Sequence, residues 1–282
     1  MEITDWPYRL VDIASYGEDV KCANLSPLAN AVNAANHDLI SMLKPGDRIL
    51  EVGCGVSSYL RDHMPEGSLW EGIDVFEKDS QGRKSIATRL GTVDAIPFDS
   101  CLFDHVVSNQ SIEHWFEYDV TMEEGLREIA RVMKMHGRLH INFPLHLHGH
   151  PFFVTGDIDA ILCLFRVDFW KVLDITAFID SGVPDYHGWE RSGFPYWYVS
   201  RLRPVSSSYV VNIVSEKIVS RHVDVLHEER DRDVPIPVRK SLLERVLVHG
   251  PLVTSWKIKR RLVQILHTLL KKDPVTKKSV AD

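Results

Sequence analysis

The fold of this chain is decided by one stretch, Arg48-Ile49-Leu50-Glu51-Val52-Gly53-Cys54-Gly55-Val56-Ser57, in which an apolar strand pattern runs into an acidic residue and a glycine-spaced turn. Because glycine lacks a Cβ, Gly53 and Gly55 can adopt positive φ and let a ligand approach the backbone, as the first turn of a doubly wound α/β domain requires. The third glycine of the dinucleotide fingerprint is missing, and Glu51 would repel a pyrophosphate. The stretch therefore predicts a small-cofactor site that favours a ligand carrying an ammonium group.

Composition places the chain among ordinary globular proteins. It has 282 residues, of which 44% are hydrophobic and 26% charged, and its apolar runs are too short for a membrane-spanning helix. The four cysteines form no CxxC pair, which favours a reduced compartment over a disulfide framework. The first residues lack the basic and apolar regions of a signal peptide. We therefore expect a cytoplasmic protein.

Charge is distributed unevenly along the chain. Positions 239–282 contain 11 basic and 3 acidic residues, a net charge of +8, whereas the rest of the chain carries −14. Apolar residues recur at helical spacing between positions 252 and 272 with basic residues interspersed, which predicts an amphipathic basic helix. This helix could lie peripherally on the anionic inner surface of a membrane, dock on a partner subunit, or pack on its own domain. Nucleic acid is disfavoured, because a body at −14 repels phosphates.

Strand and helix patterns alternate over the first 143 residues. Such alternation predicts a mostly parallel sheet with helices on both faces. Helices are expected from Ser26-Pro27 to Lys44 and from Glu123 to Met135, the latter stopped by Gly137. Strands are expected at Arg48 to Val52, Leu69 to Val75, Arg89 to Val93, His105 to Ser108, Arg138 to Phe143 and, closing the sheet, Tyr209 to Lys217.

The region between these last two strands has a different composition. Positions 144–208 are rich in His, Pro, Gly and aromatic residues, which predicts a cover over the substrate with one helix, Asp168 to Ser181. We therefore divide the chain into a cofactor-binding domain at 1–217, with 144–208 as its substrate lid region, and a basic helical extension at 218–282.

Acidic residues end the strands that follow the glycine turn. Asp74 lies 19 residues after Gly55, where a carboxylate can accept both hydroxyls of a ribose. Asp94 can accept from an adenine amine while the backbone amide of Ala95 donates to a ring nitrogen. The strand before Asn109 ends at a polar turn beside the same site.

With these motifs in order, the segment from about Ile49 to Phe143 resembles the class I S-adenosylmethionine-dependent methyltransferases, in particular the small-molecule group similar to the ubiquinone and menaquinone biosynthesis enzymes. The turn resembles the family's first motif, and Phe103 to Val107 resembles its fourth. Arg127 to Leu139 resembles the segment before the fifth strand, although Met135 and His136 replace a Pro and a Gly there. The resemblance implies a seven-stranded Rossmann-like sheet and cofactor contacts at Glu51, Gly53, Cys54, Gly55, Asp74, Val75, Asp94, Ala95 and Asn109.

The chemistry of this cofactor agrees with the residues. S-adenosylmethionine has an ammonium, a ribose diol, an adenine and a sulfonium but no phosphate, which suits acidic groups at Glu51, Asp74 and Asp94. A nicotinamide dinucleotide would also use Asp74, yet it explains neither of the other two acids.

Two groups of histidines are candidates for acid–base chemistry, since a hydroxyl nucleophile gains from a base that titrates near neutral pH. His114 follows the fourth motif and is expected to face the methyl donor as the base, or alternatively to pack at a helix start. His146 and His148 are further candidate bases, and His150 is expected to bind substrate. A metal role for this trio, with nearby Asp157 and Asp159, or no role at all, stays open, and no metal is assigned.

Aromatic residues are dense after position 152, and most are expected to pack the lid. Trp189, Tyr196 and Trp197 lie among Gly and Pro and are the candidates for substrate contact. The predicted function is S-adenosylmethionine-dependent methyl transfer to a small molecule, most simply O-methylation of a sugar or glycan precursor. The alternatives are an N-methyltransferase, a quinone or phenol O-methyltransferase, and a non-catalytic cofactor-binding regulatory protein.

Overall fold

The computed structural model describes residues 9–22, 24–145, 149–155, 158–165, 169–179 and 209–218. Its strands form one sheet in the order β1-β7-β8-β6-β5-β2-β3-β4. Strand β8 runs antiparallel to both of its neighbours, and the other pairings are parallel. The described strands are β1 Arg9–Asp12, β2 Arg48–Val52, β3 Leu69–Asp74, β4 Arg89–Leu90, β5 Phe103–Asn109, β6 Met133–Pro144, β7 Trp170–Ile179 and β8 Tyr209–Lys217.

The prediction of a doubly wound, mostly parallel sheet is confirmed, with a different strand count. Eight strands are described where seven were expected. The additional edge strand is β1, a four-residue segment that pairs in parallel with β7. The predicted bounds of β2 and β8 are reproduced, whereas β4 is limited to two residues.

Local capping explains where the main helices begin. The described helices are α1 Pro27–Ile40, α2 Tyr59–His63, α3 Met122–Val132, α4 Pro151–Thr155 and α5 Ile158–Cys163, with 3₁₀ helices at Ile13–Ser15 and Ile112–Tyr118. The Ser26 side chain accepts from the backbone N–H of Ala29, as the Ser-Pro start predicts. Thr121 and Glu124 form a reciprocal capping box at α3. Helix α1 ends at Ile40, four residues before its predicted end.

Helices cover both faces of the sheet. Along β5 the successive residues Val106 and Val107 belong to different apolar clusters, because strand side chains alternate between faces. Val106 packs in the larger cluster with α3, and Val107 packs with α1 and α2. This arrangement leaves the carboxyl ends of β2, β3, β4 and β5 to meet along one edge, where ligands bind in open α/β sheets.

The helix predicted over Asp168 to Ser181 is wrong. Residues Trp170–Ile179 form β7, which pairs antiparallel with β8. Its buried positions include Ile175, Ala177 and Phe178. In so short a segment the apolar spacing fits both a helix and a strand, and only pairing with a neighbouring strand distinguishes them. This part of the predicted lid therefore belongs to the sheet.

The end of α3 and the start of β6 also differ from the prediction. Helix α3 stops at Val132, before its predicted end at Met135, because Met133 adopts an extended conformation and pairs with Phe103. His136 lies within β6 and has φ +62°, a left-handed conformation in which glycine is the favoured residue. This is the place where the resembled family has a glycine.

Two buried histidines lie side by side within the sheet, and they make its stability depend on pH. His105 Nδ1 and His140 Nε2 are 3.4 Å apart on β5 and β6. Burial, with smaller contributions from His105 and Arg138, lowers the pKa of His140 to about 3. In the unfolded chain His140 is protonated below about pH 6.5, whereas in the folded chain it stays neutral down to about pH 3. Its contribution to the free energy of unfolding is therefore complete above about pH 6.5 and is lost as the pH falls.

Replacing His140 with glutamine is expected to remove much of this acid sensitivity. Between pH 7 and pH 5 the wild-type free energy of unfolding should fall by about 2 kcal/mol more than that of His140→Gln, at about 1.4 kcal/mol per pH unit below 6.5. Urea unfolding at the two pH values measures the difference. His63→Gln, at an exposed position, is the control and should behave as wild type. An equal fall in wild type and His140→Gln would contradict the assignment.

Candidate active site

The glycine turn after β2 is packed on its inner side and open at its tip. Gly53 and Gly55 have φ of +73° and +66°. The backbone N–H groups of Gly53 and Cys54 both donate to the Ile73 carbonyl, which ties the turn to β3. A Cβ at Gly53 would lie 2.7 Å from Ser111 Cβ, whereas one at Gly55 would meet no described heavy atom within 4 Å. The tip at Gly55 therefore has room for a ligand against the backbone.

Glu51 ties three elements of the site together. Its buried carboxylate accepts hydrogen bonds from Ser58 Oγ, from Trp70 Nε1 at 3.0 Å and from Asn109 Nδ2 at 3.0 Å. Burial raises the pKa of Glu51, and these three donors oppose that shift. The acid thus connects the end of the turn, β3 and β5, and its contact with an ammonium group stays a prediction.

Asp74 closes the turn from the neighbouring strand. Its Oδ2 accepts from the Gly55 N–H at 2.7 Å, and its Oδ1 accepts from the Val75 N–H at 2.7 Å. Burial raises the pKa of Asp74, and backbone N–H donors at Gly55, Val75 and Phe76 oppose the shift. The predicted ribose acid is therefore held beside the open tip of the turn.

Asp94 has the clearest unmet hydrogen-bonding capacity in the site. Its Oδ1 is buried and has no partner among the described residues. A buried acceptor without a donor costs about 1–3 kcal/mol, so it fits a ligand that brings an N–H. The neighbouring Ala95 N–H, which the sequence assigns to adenine, donates to the Thr92 carbonyl at 3.2 Å.

A buried ion pair on α3 holds the loop that carries Asp94. Glu128 Oε1 accepts from the Ile96 N–H at 2.9 Å, and Arg131 Nη2 donates to Glu128 Oε1 at 2.8 Å. The same nitrogen donates to the carbonyls of Ile96 and Phe98, each at 3.0 Å. The loop is therefore fixed through its backbone, so its shape depends little on its own side chains.

His114 has a buried partner that the sequence analysis missed. Its Nδ1 lies 2.9 Å from Oε1 of Glu117, whose side chain is 4% exposed, while the His114 side chain is 37% exposed. Both residues lie on the 3₁₀ helix Ile112–Tyr118, three positions apart, and the helix begins next to Ser111 against the glycine turn. A carboxylate at Nδ1 favours the tautomer whose Nε2 carries the lone pair, as a general base requires.

The loop after β6 meets the same 3₁₀ helix. The His150 N–H donates to the Glu113 carbonyl at 2.9 Å, and the His150 ring makes an edge contact with Phe116 at 5.6 Å between centroids. Gly149, with φ +96°, packs so closely that a Cβ would lie 2.5 Å from the Glu113 carbonyl oxygen. Burial raises the pKa of Glu113 to about 7. His150 is thus anchored on the 3₁₀ helix that carries His114.

Several predicted site residues make no new contact or fall outside the described part of the chain. Cys54 is buried, and burial raises its pKa to about 12, so its thiol is not a nucleophile at neutral pH. Val75 contributes its backbone N–H to Asp74. Within the described ranges no three His, Cys, Asp or Glu residues are grouped as metal ligands. The candidates outside the described residues are His146, His148, Trp189, Tyr196, Trp197 and the basic helix at 252–272.

Residues 50–141 match a family model described as a methyltransferase domain. No curated protein sequence gives a significant match. Similar solved structures include the YcgJ protein of Bacillus subtilis, at 14% identity and TM-score 0.45, covering 66% of this chain and 99% of that chain. Another is 1,6-didemethyltoxoflavin-N1-methyltransferase of Burkholderia thailandensis, at 13% identity and TM-score 0.43, covering 67% and 79%.

The matched segment coincides with the site. Positions 50–141 run from β2 to β6 and include the glycine turn, Asp74, Asp94 and His114. No described helix is long and apolar enough to cross a membrane. The motifs, their order on the sheet and the family match agree that residues 50–141 form a methyltransferase domain of the class I, S-adenosylmethionine-dependent type.

Proposed function

We propose that this chain binds S-adenosylmethionine over the carboxyl ends of β2 to β5 and transfers its methyl group to a hydroxyl of a small molecule. Asp74 accepts from the ribose, Asp94 accepts from the adenine amine, and the Glu51 region faces the amino-acid part of the cofactor. The observation that carries this assignment is the Asp94 Oδ1, which is buried and has no hydrogen-bond partner among the described residues. Glu128 holds the loop that carries it, and the glycine turn is open at Gly55.

The proposed chemistry needs positioning and one proton acceptor. Bound S-adenosylmethionine supplies a methyl group activated by its sulfonium. The residues around it align the acceptor and exclude water, which are the main contributions of a protein to such a displacement. His114 Nε2 takes the proton of the acceptor hydroxyl as the new C–O bond forms and the S–C bond breaks, while Glu117 holds the ring at Nδ1.

A sugar or glycan precursor is the proposed acceptor class. A histidine with a buried carboxylate partner supports a hydroxyl nucleophile, which gains from a base that a neutral amine does not need. The His- and aromatic-rich composition of positions 144–208 favours a polyol among the hydroxyl acceptors. Residues 1–217 form the methyltransferase domain, including a substrate lid within 144–208, and 218–282 form a basic extension that contacts a membrane surface or a partner subunit. We place the protein in the cytoplasm.

Formation of S-adenosylhomocysteine tests the reaction. The purified full-length chain is incubated with S-adenosylmethionine and a panel of nucleotide sugars, phenols and amines, and product is quantified for each acceptor. Turnover with nucleotide sugars supports the proposal. Turnover confined to amines or to phenols would assign the N-methyl or the phenol alternative instead. Product no higher than in the acceptor-free reaction across the panel would contradict the proposed acceptor class.

Replacing Asp74 with asparagine is expected to weaken S-adenosylmethionine binding about tenfold. The change removes the negative charge that strengthens the hydrogen bonds to Gly55, Val75 and the ribose, and it replaces one acceptor oxygen with a donor. Calorimetric titration of the two proteins measures the change. The matched control is Asp62→Asn, since the Asp62 side chain is 52% exposed. Equal affinities of Asp74→Asn and wild type would rule out the ribose role.

A further inference from the structure

Four polar side chains form a continuous hydrogen-bonded chain across the carboxyl ends of β2, β5 and β6. Glu51 Oε1 accepts from Asn109 Nδ2 at 3.0 Å. Asn109 Oδ1 accepts from Asn142 Nδ2, and Asn142 Oδ1 accepts from Gln110 Nε2 at 3.0 Å. Asn109 and Asn142 face each other in the parallel register of β5 and β6, which brings these residues together from distant positions in the sequence.

The carboxylate at one end fixes the direction of every bond in this chain of side chains. An ionised carboxylate only accepts, so Asn109 must present its amide nitrogen to Glu51 and its oxygen to Asn142. Asn142 must then present its nitrogen to Asn109 and its oxygen to Gln110. Gln110 must therefore donate from its amide nitrogen to Asn142. Its Oε1 then remains as the acceptor at the end of the chain opposite Glu51.

That terminal oxygen is buried and has no hydrogen-bond partner among the described residues. The Gln110 backbone is also unusual, since its φ of +52° is left-handed and non-glycine residues seldom adopt it. Its N–H donates to the Asn142 carbonyl at 3.0 Å, so both the backbone and the side chain are anchored to the same residue. Strained backbone residues that their surroundings hold in place cluster at active sites and ligand contacts.

Gln110 lies along the chain between residues that contact the cofactor turn and the helix that carries the proposed base. It follows Asn109, which contacts Glu51, and precedes Ser111, whose Oγ accepts from Trp115 Nε1 and donates to the Val52 carbonyl. His114 is four positions further on the 3₁₀ helix that begins here. Gln110 therefore lies in the chain between residues that contact the cofactor turn and the residue proposed as the base.

We propose that Gln110 Oε1 accepts a hydrogen bond from an O–H or N–H group of the methyl acceptor that neighbours the reacting hydroxyl, and so orients the atom that receives the methyl group. The reacting hydroxyl keeps its single hydrogen for His114 Nε2. This inference rests on the proposed cofactor site. It assigns the acceptor a second hydrogen-bond donor beside the reacting atom, and it makes Gln110 a substrate-contacting residue. Asn142 and Asn109 are positioning residues, which hold Gln110 in the orientation that Glu51 sets.

Sinefungin provides a test that does not require the natural acceptor. In sinefungin an amine on carbon replaces the methylsulfonium, so bound sinefungin places a charged N–H donor where the methyl group is transferred. S-adenosylhomocysteine has no group at that place. Gln110→Met keeps the approximate length of the side chain and removes its amide, both the free Oε1 and the Nε2 that donates to Asn142. It should weaken sinefungin binding at least about tenfold and leave S-adenosylhomocysteine binding within about twofold, as expected for loss of a hydrogen bond to a charged group.

A second variant distinguishes loss of the hydrogen bond from misfolding. Asparagine tolerates left-handed φ, so Gln110→Asn should fold, yet its oxygen is one carbon too short and should also lose affinity for sinefungin alone. The control is Gln81→Met, the same change on an exposed turn. Calorimetry that shows equal losses for both ligands, or no loss for either Gln110 variant, would overturn the inference. Failure of the wild type to bind S-adenosylhomocysteine would instead contradict the cofactor site itself.

Discussion

Replacing His114 with glutamine is expected to lower kcat for methyl transfer about 100-fold, the lower end of the range for loss of a general base. Glutamine keeps the approximate size of the ring and can still contact Glu117, but it cannot take up the proton of an acceptor hydroxyl. The measurement is S-adenosylhomocysteine formation at saturating cofactor, with the hydroxyl acceptor that the wild type uses best.

Two comparisons separate a base from a structural role. S-adenosylmethionine affinity of His114→Gln should stay within about twofold of wild type, because the contacts assigned to the cofactor lie elsewhere. Glu117→Gln should give a smaller loss in kcat, since the ring is oriented less well but the base is retained. His63→Gln, on the exposed side of α2, should retain full activity. A kcat of His114→Gln close to wild type would refute the role of His114 as the base.

Replacing Arg131 with methionine is expected to lower the free energy of unfolding by about 3 kcal/mol, because removal of one partner leaves the other charge buried. The Arg131 and Glu128 side chains are 12% and 5% exposed. The carbonyls of Ile96 and Phe98 lose a donor in the same change. Urea unfolding followed by circular dichroism measures the effect.

The same helix provides the control for this prediction. Arg127 is exposed on α3, so Arg127→Met should change the free energy of unfolding by less than about 0.5 kcal/mol. The double variant Glu128→Gln with Arg131→Met should be more stable than Arg131→Met alone, because no uncompensated charge remains buried. If Arg131→Met is as stable as Arg127→Met, the ion pair does not hold the loop as described.

The elements that sequence alone predicts well are those with local determinants. Strand β2 has an apolar run closed by the glycine turn, and the start of α1 has a side-chain cap at Ser26, so both are visible without knowing any partner. Strand β7 has neither kind of boundary. Its identity depends on pairing with β8, about 30 residues away along the chain, and the same holds for the short edge strand β1 on β7.

In the candidate site, too, residues with local sequence signals are predicted, whereas contacts that depend on strand pairing are not. Glu51, Gly53, Gly55 and Asp74 are predicted as one site because strand ends in a parallel sheet lie at one edge. In the structure the Gly55 N–H donates to Asp74, and the Gly53 N–H donates to the Ile73 carbonyl on the same strand. Glu117 lies three residues after His114, and that helical spacing could have identified it. The contact between Asn109 and Asn142 depends on sheet register, which spacing does not provide.

Calorimetric titration of the wild-type protein shows whether the turn from Gly53 to Gly55 binds S-adenosylmethionine. We predict saturable binding of one S-adenosylmethionine per chain and no heat with NAD⁺, whose pyrophosphate would approach Glu51. The absence of heat with S-adenosylmethionine, or tighter binding of NAD⁺, would contradict the assignment of this site.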